Sequence, residues 1–344
     1  MPRTEIFPYF PPTCGKSDPP PQHSLLGANC NEPYRAVQRK NMKRFSDPST
    51  PVVESIGAPG IHERRRLPDS NFKALWASII LPPDIKEMLV CQAALNFTMR
   101  AKVSRTVMPL HGIILLSGPP GTGKTTLAKG LSSEVAELLR SSVTYLEVEP
   151  HSLASSALGK TQRAVSELFG TTIAEHAIQG PTIVLLDEVE TILVDRSKLS
   201  MDANPIDVHR ATDAALVALD HLAAKYPNLL ILATSNFKRA IDGAFMSRCD
   251  AVFEIPLPDI SAAHAILQET LRGLGATYPS LRLLAEDAGL RTLAQRCLGL
   301  DGRQLRKLVA AACTARREIA MNPGLLTMSD LAPAADRFRK GGTL

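Results

Sequence analysis

The stretch that decides the fold is Gly118-Pro119-Pro120-Gly121-Thr122-Gly123-Lys124-Thr125, followed by Thr126. An apolar run, Ile113-Ile114-Leu115-Leu116, precedes it and an amphipathic stretch follows it, so the sequence predicts a strand, a phosphate-binding loop and a helix. The glycines let successive backbone N–H groups surround phosphate oxygens at a helix N-terminus, where the dipole favours anions. Lys124 is expected to reach the β- and γ-phosphates and the Thr125 hydroxyl to bind Mg²⁺. The segment 118–126 therefore predicts a nucleotide site.

A second motif, Thr182-Ile183-Val184-Leu185-Leu186-Asp187-Glu188, is a short apolar run that ends in two acids. A continuous apolar run of this length is typical of a strand buried on both faces of a parallel sheet. The acids then lie at the carboxyl end of the strand, where open α/β sheets bind ligands. Asp187 is the expected metal partner, and Glu188 is expected to polarise an attacking water near the γ-phosphate. The alternative, an acid pair that only caps a strand end, is disfavoured beside a phosphate loop.

Composition limits the class of protein. The chain has 344 residues, which predicts two or three domains, and its 44% hydrophobic content is enough for a buried core. No apolar run approaches the roughly 18 residues of a membrane span, and the N-terminal MPRTEIFPYFPP has prolines where a signal peptide would be apolar. The six cysteines include no Cys-x-x-Cys pair, so neither a metal site nor a disulfide framework is indicated. We expect a cytoplasmic protein without a membrane partner.

The chain divides into three parts: an arm (1–69), an ATPase core (70–257) and a lid (258–344). Twelve of the 26 prolines lie in the first 68 residues, which predicts an irregular arm that is either disordered or binds a partner or subunit. Ten basic and seven acidic residues lie within residues 1–70, so three of the five net positive charges are there and the core is close to neutral. Arg64-Arg65-Arg66 is interpreted as solvated linker charge.

Strand and helix patterns alternate through the core and only helices follow it. Strands are predicted at 112–117, 143–149, 182–187, 229–234 and 251–255, with helices such as 125–139 and 161–178 between them. After Pro256-Leu257-Pro258, helices are predicted at 261–274, 286–297 and 301–321, the last capped by Asp301, and a short one from Ser329. The predicted fold class is α/β, with a parallel sheet in a three-layer core and an all-helical lid.

This arrangement resembles the AAA+ superfamily. Ala233-Thr234-Ser235-Asn236 ends a strand like the first sensor of that superfamily, which implies that the Asn236 amide contacts the attacking water and the γ-phosphate. Asp242-Gly243-Ala244-Phe245-Met246-Ser247-Arg248 resembles the segment that presents an arginine finger, which makes Arg248 a candidate for the ATP of a neighbouring subunit. Asp301-Gly302-Arg303 resembles the second sensor, with Arg303 the candidate and Arg306 the runner-up; a plain basic helix face is the alternative.

Within that superfamily, the chain from about Leu67 onward is similar to the pachytene-checkpoint-type ATPases that remodel HORMA-domain proteins. The resemblance implies a hexameric, ATP- and Mg²⁺-dependent remodeller that converts a closed, peptide-bound HORMA protein to an open state. It also implies that Ile79 and Ile80 contact the base. The segments that carry it are 72–80, His151-Ser152-Leu153, Leu186-Asp187-Glu188-Val189-Glu190, 204–212, Leu219-Asp220 and the Arg248 segment.

Two departures refine the resemblance. Ala157, Leu158 and Gly159 occupy the place of the pore loop, where an aromatic residue usually grips the substrate, so Leu158 is the largest apolar contact there. The Pro-rich N-terminus looks too irregular for the recognition domain of the eukaryotic relatives, which favours the compact bacterial relatives that act in antiphage signalling.

Three other functions stay open from the sequence. The first is a eukaryotic-type meiotic or spindle-checkpoint remodeller. The second is a nucleic-acid motor or loader, which is disfavoured by the near-neutral core and its few aromatic residues. The third is a nucleotide-gated scaffold without turnover, which conflicts with the presence of Glu188 and Asn236.

Overall fold

A six-stranded sheet forms the centre of the core. The structure is a computed structural model that describes residues 60–148, 160–193 and 205–341. The strands lie in the order β1-β3-β4-β5-β2-β6, and every neighbouring pair is parallel except β1 and β3. The strands are β1 (Ile61–Leu67), β2 (Ile113–Ser117), β3 (Val143–Val148), β4 (Thr182–Leu186), β5 (Leu229–Ser235) and β6 (Ala251–Glu254).

The apolar runs form strands because the sheet is covered on both faces. Ile113 and Leu115 of β2 pack into one hydrophobic core, whereas Ile114 and Leu116 pack into a second core on the opposite face. All four side chains are fully buried, so every position of the strand benefits from being apolar. The five strands predicted from the sequence are confirmed within one residue at each end, and the predicted three-layer α/β fold is confirmed.

Helices cover the two faces of the sheet. The phosphate-loop helix packs on the face that includes Ile114 and Leu116, together with the two helices that precede β2. The predicted helix 161–178 contains a π-helical turn at Leu168–Ile173. The helices of the core are α1 (Ser70–Ser78), α2 (Pro83–Arg100), α3 (Lys124–Leu139), α4 (Lys160–Glu167), α5 (Ala174–Gln179), α6 (Pro205–Lys225) and the short α7 (Gly243–Met246).

The edge strand β1 is a correction to the sequence prediction, which assigned residues 1–69 to an irregular arm. Glu63 and Leu67 are buried, and the Arg65 guanidinium is half-buried between the carboxylates of Glu63 and Asp69. The ammonium of Lys129, on α3, also contacts Glu63 at 3.4 Å. Arg65 is therefore a structural ion-pair residue and not solvated linker charge.

The lid is a helical domain with a hydrophobic core of its own. The predicted helix 301–321 is wrong as a single element, because the chain turns after Ala312 and Arg316 is extended and pairs with Asp330 at 3.1 Å. The predicted helix 286–297 begins later, at Gly289, whose N–H donates to the Asp287 carboxylate. The lid helices are α8 (Ile260–Leu274), α9 (Leu281–Ala285), α10 (Gly289–Arg296), α11 (Gly302–Ala312), α12 (Arg317–Met321) and α13 (Met328–Arg339).

No helix within the described ranges combines the length and apolar character that crossing a membrane requires.

Candidate nucleotide site

The phosphate loop links the carboxyl end of β2 to the first turn of α3. Gly118, Gly121 and Gly123 have φ values of +153°, +80° and +87°, which side chains other than hydrogen rarely tolerate. A Cβ at Gly118 would overlap the backbone carbonyl of Ile255, and one at Gly121 would overlap the Asp301 carboxylate. Thr125 and Thr126 follow in the first turn of α3. The backbone conformation therefore favours glycine at all three positions, and at Gly118 the backbone of Ile255 also leaves no space for a side chain.

Lys124 is the charged residue of the phosphate loop and is buried, with 6% of its surface exposed. Its ammonium donates to the carbonyls of Gly118 and Pro119 at 2.9 and 2.8 Å and to the Asn236 side-chain oxygen at 2.8 Å. Burial lowers the pKa of Lys124, whereas the carboxylates of Glu190, Asp187 and Glu188 act in the opposite direction. These three contacts use all three ammonium donors, so a phosphate oxygen that binds Lys124 takes the place of one of the present acceptors.

The acidic motif at the end of β4 lies directly beside the first turn of α3. The Thr125 hydroxyl donates to the Asp187 carboxylate at 2.7 Å. These two side chains offer hard oxygen ligands of the kind that Mg²⁺ prefers. The sequence prediction that Thr125 and Asp187 share a metal site is thus matched by their contact, although the metal itself stays a prediction.

Asn236 connects the two motifs. Its side-chain N–H donates to Glu188 at 3.1 Å while its oxygen accepts from Lys124. Glu188 is one of two non-glycine residues with positive φ within the described ranges, at +50°. Such a conformation is unfavourable for a residue with a Cβ and is often found at functional sites.

Two residues that the sequence reasoning did not assign complete this network. The Thr234 hydroxyl contacts both Asp187 and the backbone N–H of Glu188, and Glu190 accepts from the backbone N–H of Asn236 at 2.9 Å. Lys124, Asn236, Glu188 and Asp187 are thereby held in one continuous hydrogen-bonded cluster.

A cavity of about 310 Å³ lies beside the loop, between the core and the lid. Ile79 and Ile80 line it, as do residues of the phosphate loop, which fits the predicted contact of these isoleucines with a base. Its walls are mostly apolar side chains and backbone, with Arg306 as the basic residue at its lid side. A planar, uncharged heterocycle suits such a cavity better than a phosphate group does.

The lid contacts the loop through the start of α11. The backbone N–H of Arg303 donates to the Gly121 carbonyl at 3.3 Å, and the positive charge of Arg303 contributes to lowering the pKa of Lys124. Arg306 instead donates to the Ser78 carbonyl at 3.1 Å, at the end of α1. The start of α11, which carries Arg303, thus contacts the phosphate loop, whereas Arg306 lines the cavity, and Arg303 stays the predicted second sensor.

Arg248 lies elsewhere in the same core. Its guanidinium makes a bidentate ion pair with Asp220 of α6, at 2.8 and 2.6 Å, and donates to the Ala244 carbonyl at 2.7 Å. Across the described ranges, its contacts are with α6 and α7 and not with the phosphate loop of the same chain. The predicted pore-loop residues Ala157, Leu158 and Gly159 lie outside the described residues.

The fold and the cluster define a P-loop ATPase core with a helical lid. The family model described as "ATPase family associated with various cellular activities (AAA)" matches residues 114–257. CD-NTase-associated protein 6 of Pseudomonas aeruginosa is 55% identical over 83% of this chain and 94% of its own length. The chain belongs to the pachytene-checkpoint-type AAA ATPases, among their compact bacterial members.

Two further comparisons are more distant. The pachytene checkpoint protein 2 homolog of Arabidopsis thaliana is 32% identical over 73% of this chain, which spans 61% of that protein. One chain of the solved E. coli MS115-1 HORMA:CdnC:Trip13 complex superposes with a TM-score of 0.64, covering 81% of this chain and 95% of its own, at 18% identity. At that identity the structural match supports the fold alone.

The Lys124 ammonium gives the first prediction. Lys124→Ala removes a charge-assisted donor to phosphate, so we expect ATP binding to weaken by about 10- to 100-fold, measured with a fluorescent ATP analogue. Lys73→Ala is the control, because Lys73 is an exposed lysine that pairs with Glu137 on the outside of α3. Unchanged affinity in Lys124→Ala would contradict the assigned role.

Proposed function

We propose that the protein hydrolyses ATP to ADP and phosphate with Mg²⁺. The observation that carries this proposal is the cluster in which Asn236 bridges Lys124 and Glu188, with Asp187 and Thr125 in contact beside it. This arrangement supplies a phosphate-binding cation, a carboxylate pair and a sensor amide at one edge of the sheet. A scaffold without turnover has no need for a carboxylate held at that position.

Each side chain of the cluster has a distinct task in this proposal. Lys124 and the loop N–H groups bind the phosphates, and Thr125 and Asp187 hold Mg²⁺, which neutralises charge on the β- and γ-phosphate oxygens when bound. Glu188 accepts a hydrogen bond from the attacking water and thereby orients it. Asn236 contacts Glu188 and is placed to align that water with the γ-phosphate. Ile79 and Ile80 contact the base, and Arg303 reaches the phosphates from the lid.

We propose further that the subunits form a hexameric ring. Arg248 is engaged by Asp220 and Ala244 rather than by the phosphate loop of its own subunit. Of its five guanidinium N–H groups, three are used in these contacts, which leaves two for phosphate oxygens on a neighbouring subunit. An arginine that completes the site of its neighbour makes activity depend on assembly.

The proposed substrate is a HORMA-domain protein, which the ring partly unfolds and converts from its closed, peptide-bound state to its open state. Support comes from the 55% identity to a CD-NTase-associated protein and from the fold shared with a chain of the HORMA:CdnC:Trip13 complex. By the same relation, we place the protein in the bacterial cytoplasm, in the control of antiphage signalling.

The test is a peptide-release assay with the HORMA-domain protein of the same bacterium, loaded with a fluorescent closure peptide. We expect release that requires ATP and Mg²⁺ together and stops with a non-hydrolysable analogue. Absence of release, combined with ATP hydrolysis that DNA stimulates and salt suppresses, would favour a nucleic-acid motor instead.

The proposed pore contact gives a second prediction. Leu158→Ala should abolish peptide release and leave basal ATP hydrolysis intact, because burying a leucine side chain contributes about 1.5–3 kcal/mol to the grip and the neighbouring Ala157 offers only a methyl group. Ala157→Tyr should preserve or strengthen release.

Leu283→Ala is the matched control for Leu158→Ala, because Leu283 is a lid leucine that is 79% exposed. If Leu158→Ala releases the peptide as fast as wild type, the substrate does not pass along this loop.

A further inference from the structure

Thr234 is a hydroxyl residue near the end of a buried strand whose first five residues are all apolar. It is the sixth residue of β5, after Leu229-Leu230-Ile231-Leu232-Ala233, and only 1% of its surface is exposed. Leu186 of β4 pairs with Ala233 of β5, so the next residues, Asp187 and Thr234, lie side by side at the edge where both strands end. Packing alone favours valine at this position, since the two side chains have nearly the same shape.

The Thr234 hydroxyl makes two hydrogen bonds, one to each acid of the motif. Its oxygen accepts from the backbone N–H of Glu188 at 3.0 Å, and its hydrogen is donated to the Asp187 carboxylate. A hydroxyl has a single hydrogen, so donation to Asp187 fixes the orientation in which the oxygen meets the Glu188 N–H.

The backbone of Glu188 and the carboxylate of Asp187 each need a contact that fixes their orientation. Glu188 has left-handed backbone angles, φ +50° and ψ +54°, directly after the strand, where a residue with a Cβ has lower-energy alternatives. The same oxygen of Asp187 accepts from Thr125 and from Thr234, so the two hydroxyls together orient the carboxylate plane. Without Thr234, the Glu188 N–H loses its acceptor and Asp187 is oriented from one side only.

We propose that Thr234 is a positioning residue for ATP hydrolysis: one hydroxyl sets the backbone of Glu188 and the carboxylate of Asp187 at the same time. The inference rests on the proposed function, in which Glu188 orients the attacking water and Asp187 holds Mg²⁺. It adds a buried residue that acts through both acids.

The test compares three variants of the full-length protein. Thr234→Val keeps the shape and removes the hydroxyl, and we expect kcat to fall by about 10- to 100-fold, as for other residues that orient metal ligands. ATP affinity measured in EDTA should be unchanged, whereas the gain in affinity on adding Mg²⁺ should shrink. Thr234→Ser, which keeps the hydroxyl, should restore most of kcat and of the Mg²⁺ effect.

Thr182→Val is the matched control. Thr182 is fully buried at the opposite end of β4, and its hydroxyl donates to the Gly180 carbonyl at 3.1 Å. This variant therefore also removes a buried hydroxyl, with the loss of one hydrogen bond where Thr234→Val loses two. We expect it to lower the melting temperature without changing kcat or the Mg²⁺ effect. If Thr234→Val does not fold, Thr234→Ala takes its place.

The outcomes separate this inference from the proposed function. The positioning role would be overturned if Thr234→Val had the kcat of wild type and the same gain in ATP affinity on adding Mg²⁺. It would also be overturned if Thr234→Val and Thr182→Val lost equal amounts of kcat in proportion to their lower melting temperatures. Those results leave the proposed function standing as long as the wild type hydrolyses ATP. Absence of ATP hydrolysis in the wild type, in the presence of Mg²⁺ and of the partner, removes the proposed function itself.

Discussion

Replacing Glu188 by glutamine is expected to lower kcat for ATP by a factor of about 10² to 10⁴, the usual contribution of a positioned general base. Glutamine keeps the side-chain oxygen that accepts from Asn236 at 3.1 Å, so the shape of the cluster is retained while the negative charge that polarises water is lost. Single-turnover hydrolysis measures the effect on chemistry. ATP affinity should stay near that of wild type, because Lys124 and the loop are unchanged.

Glu254→Gln is the control for this variant. Glu254 is an exposed acid that ends β6, and two strands, β5 and β2, separate β6 from β4, the strand that Glu188 follows. Its replacement should leave both binding and hydrolysis unchanged. Near wild-type turnover in Glu188→Gln would show that the base is misassigned, and a parallel loss of ATP binding would show that Glu188 supports the loop rather than the chemistry.

The centre of the sheet could be predicted because burial on both faces makes the inner part of β2, β4 and β5 a continuous apolar run. The run Ile113-Ile114-Leu115-Leu116, for example, alternates between two hydrophobic cores and so has no polar position. The order of the parallel strands then brings Lys124, Asp187 and Asn236 to one edge. This convergence was expected because ligands bind at the carboxyl ends of strands in open α/β sheets.

The edge strand β1 could not be predicted for the opposite reason. Its sequence, Ile61-His62-Glu63-Arg64-Arg65-Arg66-Leu67, looks like charged linker because the residues that bury Glu63 are distant in sequence. Glu63 lies directly opposite Glu147 of β3, and Lys129 of α3 contacts both carboxylates, at 3.4 and 2.7 Å. Only the folded core provides these partners, so local composition indicated a loop where tertiary ion pairs make a strand.

The site shows the same limit at Thr234 and Glu190. A threonine in an apolar strand is compatible with packing, and nothing in the sequence shows that its hydroxyl meets Asp187 and the Glu188 N–H. Glu190 follows the acidic motif by two residues and contacts Asn236, which is 46 residues away. The spacing of the motifs was enough to predict the residues that contact nucleotide. The residues that orient them could not be predicted, because their contacts depend on the register between neighbouring strands.

Arg248→Ala is expected to lower kcat by about a thousandfold, since arginine fingers that stabilise the transition state of phosphoryl transfer contribute about 10³- to 10⁵-fold. The hydrogen bond from Arg248 to Asp220 within the chain orients the guanidinium and raises the pKa of Arg248, so the positive charge is kept. ATP binding should change little, because Arg248 does not contact its own phosphate loop. Arg272→Ala is the control, because it also breaks an arginine–carboxylate ion pair, but an exposed one with Glu286 in the lid.

Mixed rings decide whether Arg248 acts on the neighbouring subunit. Arg248→Ala and Glu188→Gln subunits are each expected to be inactive alone. In a random equal mixture, about a quarter of the interfaces join a site with an intact Glu188 to a neighbour with an intact Arg248, which sets an upper limit for recovered activity. In the control mixture, the Arg248→Ala/Glu188→Gln double variant replaces the Arg248→Ala subunit. No site in this mixture has an intact Glu188, so we expect no recovery of ATP hydrolysis. If verified mixed rings stay inactive, Arg248 does not complete the site of a neighbouring subunit. The lower kcat of Arg248→Ala would then result from the broken contact with Asp220 within one subunit.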